Sequence, residues 1–362
     1  MIAALLLAFQ PQNPAQTSSL EFERVIEAYS VPNSNLLAES ISPDGKASGV
    51  AFNWTVGVVL SAWVAAAKVD PAHRAGLIRY ADAVEVYWND KGPVPGYDVV
   101  PGPKPVDRYY DDNAWMAMAL VEIFELTKEE RFLDRAEKSL IYALSGEDAK
   151  LGGGIYWRES DKASKNTCSN APVAAACLAV AKHRNGKKLR AKAREIYDWT
   201  RAKLRDPSDG LYWDSIDLTG KIEKTKWSYN SALMLRTARE LRLPEANELA
   251  KACYRRWVDP ESQVIRDEGR FAHLLFENLL PQRKAIGFDP GKSLASIPVG
   301  SDGWYGKRWD RLDSNQNREL IDQVSYLRAK YLSVLIDGAG ISLFNDGNCV
   351  IEDALSRVHQ ER

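Results

Sequence analysis

From Glu21 onward, apolar residues recur at i, i+3 and i+4. The sets Val56, Val59, Leu60, Trp63, Val64; Ala117, Leu120, Val121, Phe124; Phe132, Leu133, Ala136, Leu140; Ala174, Leu178, Ala181; and Ile196, Trp199, Leu204 each lay an apolar stripe along one helix. No stretch keeps the period of two that a half-buried strand requires, so the pattern predicts an all-α chain. The stripes stop where Gly and Pro gather, at Gly92-Pro93 through Pro105, Gly152-Gly153-Gly154, Pro207 through Gly210, and Pro290 to Gly306. The helices between these breaks come in pairs, and a helical hairpin with its loops takes roughly 50 to 60 residues.

A repeat sharpens this layout. Gly154-Ile155-Tyr156-Trp157 and Gly210-Leu211-Tyr212-Trp213 stand 56 positions apart. Each is followed by a polar stretch that opens a helix, Ser164 to Pro172 in one case and Thr225 to Ser231 in the other. A third helix opens at Tyr109-Tyr110-Asp111-Asp112-Asn113-Ala114-Trp115. A unit of this length is one supersecondary element, and the chain from Glu21 has room for six. Six hairpins closed in a ring make an (α/α)6 toroid with an inner and an outer helical layer, whose inner-helix entry loops share one mouth. An open solenoid or two helical domains would carry the same periodicity. The reading is one catalytic domain over residues 21–362, preceded by a leader or unstructured segment at 1–20.

Composition narrows the classes of function. Forty-eight basic residues face 49 acidic ones for a net charge of −1, with no polybasic run, which removes the electrostatic footprint of a nucleic-acid binder. Hydrophobic residues at 45% and charged ones at 27% are those of a folded chain. Eleven Trp and fifteen Tyr stand beside four Met and four His. Such rings serve either a heavy core or platforms for a polyhydroxylated ligand, and composition does not choose. Cys168, Cys177, Cys253 and Cys349 form no CxxC and no Cys/His cluster at zinc-ligand spacing, so no metal site is expected. The apolar run Ile2 to Phe9 is too short for a bilayer span of about twenty residues. It matches a short secretory core, although no Lys or Arg precedes it; a frayed tail is the alternative. The expectation is export, secreted or periplasmic, without stable membrane insertion, and a cytoplasmic location stays open.

Asp111-Asp112 is the sharpest chemical feature. Acids at a helix start also serve as caps and suit the positive end of the dipole. Here, however, tyrosines precede the pair, Trp115 follows, and two further loops rich in Trp, Tyr and Asn repeat at the same interval. Adjacent Cα atoms lie about 3.8 Å apart. Carboxyls leaning into one cleft would then be about 5 Å apart, the spacing of a retaining glycosidase rather than an inverting one. Two acids that close do not ionise independently, so one keeps its proton while the other is charged.

The motifs Tyr109 to Trp115, Lys165-Asn166-Thr167-Cys168-Ser169-Asn170-Ala171-Pro172, Asp209-Gly210-Leu211-Tyr212-Trp213-Asp214 and Thr225-Lys226-Trp227-Ser228-Tyr229-Asn230 together resemble glycoside hydrolase family 76, whose members are α-1,6-mannanases on an (α/α)6 barrel. The motif similarity runs from about Gly96 to Ala232. It implies a retaining endo-α-1,6-mannanase with Asp111 as nucleophile and Asp112 as general acid/base, acting on a mannose-containing polysaccharide or oligosaccharide without a cofactor. Trp157, Trp213 and Trp227 are then candidates to stack on sugar rings, and Asn113, Asn166, Asn170, Asp214 and Asn230 to bind hydroxyls. Tyr110 and Tyr229 are candidates to orient a carboxylate. Each of these also has a packing or capping alternative. Where the family pattern carries Gln-Gly after the Tyr-Asn pair, this chain has Ser231-Ala232. Two rival activities remain: a mannan transglycosylase, which shares the covalent intermediate, and a sugar-binding scaffold that has lost activity.

Overall fold

The computed structural model describes residues 14–103, 106–312 and 317–339. Its helices are α1 (Pro14–Ala28), α2 (Asn53–Val69), α3 (Arg74–Ala83), α4 (Tyr110–Thr127), α5 (Glu130–Leu144), α6 (Thr167–Ala181), α7 (Gly186–Leu204), α8 (Ser228–Glu240), α9 (Ala246–Trp257), α10 (Gly269–Leu279), α11 (Arg283–Ile286), α12 (Pro290–Ala295) and α13 (Leu320–Ala339). Helices α2, α4, α6, α8, α10 and α13 pack each against the next, and α13 returns to α2, so the six close an inner ring. Helices α3, α5, α7 and α9 back their inner partners from outside. The first helix, α1, lies behind the last, α13, while the short α11 and α12 pack against α9 and α13. The fold is all-α, an (α/α)6 barrel. The apolar run Ile2–Phe9 and Cys349 lie outside the described residues.

The six units are not equal. Inner helices begin at residues 53, 110, 167, 228, 269 and 320, so a 57-residue step holds only across the first three. Later hairpins shorten, and short α11 and α12 stand where earlier hairpins have a full outer helix. The apolar stripes also proved narrower than the real burial. In α2, 14 of 17 residues are buried and in α6, 14 of 15, so these inner helices have no solvated face. Their small residues set the close packing: a Cβ on Gly57 would come to 3.1 Å from the Cβ of Trp115 in the neighbouring helix. The outer α5 and α9 keep the one-sided pattern, with charged residues outward.

The mouth is tied together by a cyclic set of hydrogen bonds. The first N–H of each inner helix, unsatisfied within the helix itself, donates to the loop that leads into the next inner helix. Asn53 donates to the Val99 carbonyl (2.9 Å), Tyr110 to Trp157 (3.1 Å), Thr167 to Asp214 (2.8 Å) and Gly269 to Lys307 (2.7 Å). Ser228 donates to the Asp267 carboxylate at 3.0 Å. Leu320 donates to the Glu39 carbonyl at 2.8 Å and closes the circle.

A second repeated device sits at the fourth residue of the inner helices. The Asn113 amide accepts from Tyr97 N–H (2.7 Å) and donates to the Tyr97 carbonyl (2.9 Å). Asn170 does the same with Ile155 (2.8 and 3.0 Å), and Gln323 with Tyr305 (3.0 and 2.9 Å). Ser231 keeps one of the two bonds, accepting from Tyr212 N–H at 3.1 Å. The Ser231 departure from the family pattern therefore falls on a loop clamp. Asn113→Ala should lower unfolding free energy by about 2 to 3 kcal/mol, because it strands buried backbone groups of Tyr97 and Tyr109. Chemical denaturation checks this, and a change under 0.5 kcal/mol, about the size of a neutral surface substitution, would refute it.

Candidate active site

The second and third residues of the inner helices gather at the mouth: Trp54 and Thr55, Asp111 and Asp112, Cys168 and Ser169, Tyr229 and Asn230, Arg270 and Phe271, Ile321 and Asp322. Positions 54, 111 and 168 fall on the 57-residue step, so the same repeat that locates the acids also locates Trp54 and Cys168.

The two aspartates have different surroundings. Asp111 accepts a hydrogen bond from the Trp157 indole N–H (3.1 Å) and another from the Asp112 backbone N–H (3.1 Å). Burial raises its pKa, and these donors together with the Cys168 thiol oppose the rise. The Asp112 carboxyl accepts no hydrogen bond among the described residues. Burial, the neighbouring Asp111 charge and then Glu39 push its pKa well up. The anion is therefore favoured at Asp111 and the proton at Asp112.

Beside Asp111, the buried Cys168 thiol and the half-buried Tyr229 phenol form a neutral layer; burial pushes both up, as does the Asp111 charge. The Tyr229 ring stacks on Phe271 (4.6 Å between centroids), and Phe271 stacks on Trp54 (5.8 Å). Trp227 tilts against Phe271 at 5.2 Å. Helices α2 and α10 are not neighbours in the ring, so this aromatic bar reaches across the mouth. On its far side lies a cavity of about 360 Å³ lined by Glu39, Phe52, Trp54, Thr55, Arg270 and Glu319. A larger groove, about 830 Å³, runs outside the barrel between α7 and α9, away from the acids.

Several expected site residues take other positions. Asn113 and Asn170 are fully buried with both ends of their amides bound to backbone, so they clamp loops and do not face a ligand. Tyr110 is buried and stacks on Tyr142 over Gly146, where it forms wall. Trp213 is half-buried, donates its indole N–H to Asp206 (3.1 Å) and has Lys224 over one face of its ring. Lys165, the first residue of the second motif, is fully buried. Trp157, Asn166, Trp227, Tyr229, Asp214 and Asn230 do come to the mouth. Trp157 is 41% exposed, with its N–H on Asp111. The Asn166 carbonyl oxygen takes the Ser164 hydroxyl at 2.6 Å. Burial raises the Asp214 pKa against the effect of Asn230 and Ser215 beside it.

A sequence model of glycosyl hydrolase family 76 matches residues 19–242, more than half of the chain. The chain belongs to glycosyl hydrolase family 76. As a glycoside hydrolase of this family, it presents its adjacent acids at the start of the second inner helix. No curated protein matches the chain. Among solved structures, a family 76 α-mannanase of Bacteroides thetaiotaomicron superposes with a TM-score of 0.81 at 24% identity, covering 90% of this chain and 98% of the other. An α-1,6-mannanase of Salegentibacter sp. HEL1_6, solved as an inactive variant with α-1,6-mannotriose, gives 0.72 at 19% identity, covering 90% and 100%. Dfg5 from Chaetomium thermophilum, in complex with glucosamine, gives 0.68 at 15% identity, covering 97% and 98%. At these identities the likeness is one of fold.

Sequence reading missed Glu39, Phe271 and Arg270. Glu39 lies in a loop with no repeat signature, and Arg270 and Phe271 follow the shortened hairpins. No helix among the described residues is long and apolar enough to cross a membrane.

Proposed function

We propose that this chain is an exported, retaining endo-α-1,6-mannanase with Asp111 as nucleophile and Asp112 as general acid/base. The observation that carries the reading is the asymmetry of the pair: Asp111 holds two hydrogen-bond donors on its carboxylate and Asp112 holds none. A nucleophile must be ionised and unprotonated, while an acid must keep its proton until the leaving oxygen takes it. Asp111 attacks the anomeric carbon as Asp112 protonates the departing glycosidic oxygen, leaving a mannosyl ester on Asp111. Asp112, now charged, takes a proton from water, and the water oxygen displaces the ester with net retention. In the Salegentibacter enzyme, the variant in which two consecutive aspartates are replaced by asparagine is inactive and holds α-1,6-mannotriose, which supports the same pairing here. The preponderance of acids at the mouth, Glu39, Asp111, Asp112, Asp214, Glu319 and Asp322 against Arg270, suits a neutral glycan and disfavours a polyanionic one.

Hydrolysis of unbranched α-1,6-mannan, followed by NMR in the first minutes, tests the proposal. The α-anomer should appear first; initial β-anomer or no cleavage of any mannan would sink it. Trp157→Phe keeps the ring and removes the N–H from Asp111. It should lower kcat about ten- to a hundredfold, the worth of a hydrogen bond to a charged group. Unchanged kcat would show that the indole N–H plays no part.

A further inference from the structure

The Trp157 indole reaches Asp111 from a loop, and that loop is fastened to the chain just before α4. Residues 107–110 and 157–159 form a short antiparallel bridge. Tyr110 N–H donates to the Trp157 carbonyl (3.1 Å), Glu159 N–H donates to the Arg108 carbonyl (3.0 Å), and Tyr109 lies opposite Arg158. Two ion pairs cross the bridge with their charges in opposite order. Asp107 binds the Arg158 guanidinium, and Arg108 binds Glu159 through two hydrogen bonds, Nε to Oε2 (2.7 Å) and Nη2 to Oε1 (2.9 Å). The pairs differ in depth: the Arg158 side chain is 39% exposed and that of Arg108 only 4%. Arg108 also donates to the Val94 carbonyl (2.9 Å), lies over the Tyr142 ring (4.6 Å) and occupies the space that a Cβ on Gly92 would need. A guanidinium so enclosed offers a rigid fork, and the fork holds Glu159 in one place. Trp157 is two residues away, its ring against that of Tyr109 at 5.2 Å.

We propose that Arg108 and Glu159 are positioning residues for the nucleophile, which hold the loop so that the Trp157 N–H stays on Asp111 and thereby set the pH at which Asp111 becomes charged. This rests on Asp111 being the nucleophile. A donor to a carboxylate favours its anion, so a loop released from Arg108 leaves Asp111 harder to ionise. The other groups that face Asp111 are Asp112 on α4, Tyr109 before it, Cys168 from α6 and Tyr229 from α8. Asp214, in the loop before α8, acts on Cys168 and Tyr229 together with Asp111. Arg158 stands over the Tyr109 ring and is engaged by Asp107 and by Asp161 (3.7 Å). None of the groups facing Asp111 is a partner of Glu159, so a change at Glu159 reaches Asp111 through the loop.

The test is the pH profile of kcat/KM on α-1,6-mannotetraose for wild type, Glu159→Gln, Trp157→Phe and the double variant. The acidic limb reports ionisation of the nucleophile in the free enzyme. In Glu159→Gln it should rise by about half to one pH unit, part of the worth of a hydrogen bond to a charged group. The direct field of the lost negative charge would lower it, so the direction of the shift separates the two routes. Trp157→Phe should raise the same limb, and the double variant should go no further than Trp157→Phe alone. A clasp that contributed stability only would lower the unfolding midpoint and leave the limb in place. If Glu159→Gln does not fold, Arg108→Lys keeps the charge, removes the fork and should raise the limb in the same way. A limb unmoved or lowered in the folded clasp variant, unmoved in Trp157→Phe, or moved additively in the double variant overturns the proposal. A wild type inactive on every mannan overturns instead the mannanase reading on which it rests.

Discussion

Asp111→Asn should abolish hydrolysis of α-1,6-mannan, with kcat/KM down by at least about 10³-fold, and Asp112→Asn should do so by about 10²- to 10⁴-fold. The two losses should differ in kind. Without Asp111 no mannosyl ester forms, whatever the leaving group. Without Asp112 the missing function is proton delivery, so a mannoside with an acidic phenol as leaving group should still form the ester and then stall. Rapid-mixing measurements with such an aryl glycoside should show a burst of phenol from Asp112→Asn and none from Asp111→Asn. Mass spectrometry of the stalled protein should place the adduct on Asp111. A burst from Asp111→Asn, or an adduct elsewhere, would reverse or remove the assignment. The surroundings already predict the direction, since the donors to Asp111 favour its anion and the bare Asp112 carboxyl favours its proton.

Lys165→Met should be the most damaging substitution outside the acid pair. The Lys165 ammonium is buried and donates to the Asp148 carboxylate (2.7 Å) and to the carbonyls of Asp148 (3.2 Å), Lys150 (2.8 Å) and Gly153 (2.6 Å). Replacing it strips the ammonium from three carbonyls and leaves the half-exposed Asp148 carboxylate with only the Tyr156 hydroxyl and the Lys150 N–H. Leaving such groups without their donor costs about 1 to 3 kcal/mol. The damage should also reach the chemistry. Lys165 pairs with Tyr156 across a bridge, and Trp157 N–H donates to the Ser164 carbonyl at 3.2 Å, so the strand that carries Lys165 also sets the Trp157 indole against Asp111. Denaturant unfolding should show the loss, and activity per folded molecule should fall with it. A midpoint within experimental error of wild type would show that water replaces the ammonium.

The barrel was legible because its first inner helices start with polar or aromatic residues at a 57-residue step. Asp111 falls on that step, and Trp157 and Tyr229 sit in the repeated motifs around it and carry chemistry that side-chain type reveals. The misplaced residues share a physical cause. Asparagine at the fourth helical position has the same composition signal as a hydroxyl binder, but Asn113 and Asn170 spend their amides on loop backbone, a choice that spacing alone does not expose. Lys165 gives no sign of its burial in the sequence because three of its four acceptors are main-chain carbonyls, which leave no trace in residue type. Glu39 was missed for the opposite reason: it is an ordinary glutamate whose meaning comes from a contact between the beginning and the end of the chain.

That contact has a consequence for biosynthesis. The Leu320 N–H meets the Glu39 carbonyl only when the last inner helix has docked against the first, and Arg270 finds Glu319 and Asp322 in the same event. A chain emerging amino end first can stack its early hairpins as they appear. It cannot complete the rim around Asp112 until α13 is made. A chain truncated before α13 would thus carry both aspartates and still lack a finished mouth, so catalytic competence arrives only with the helix that closes the ring.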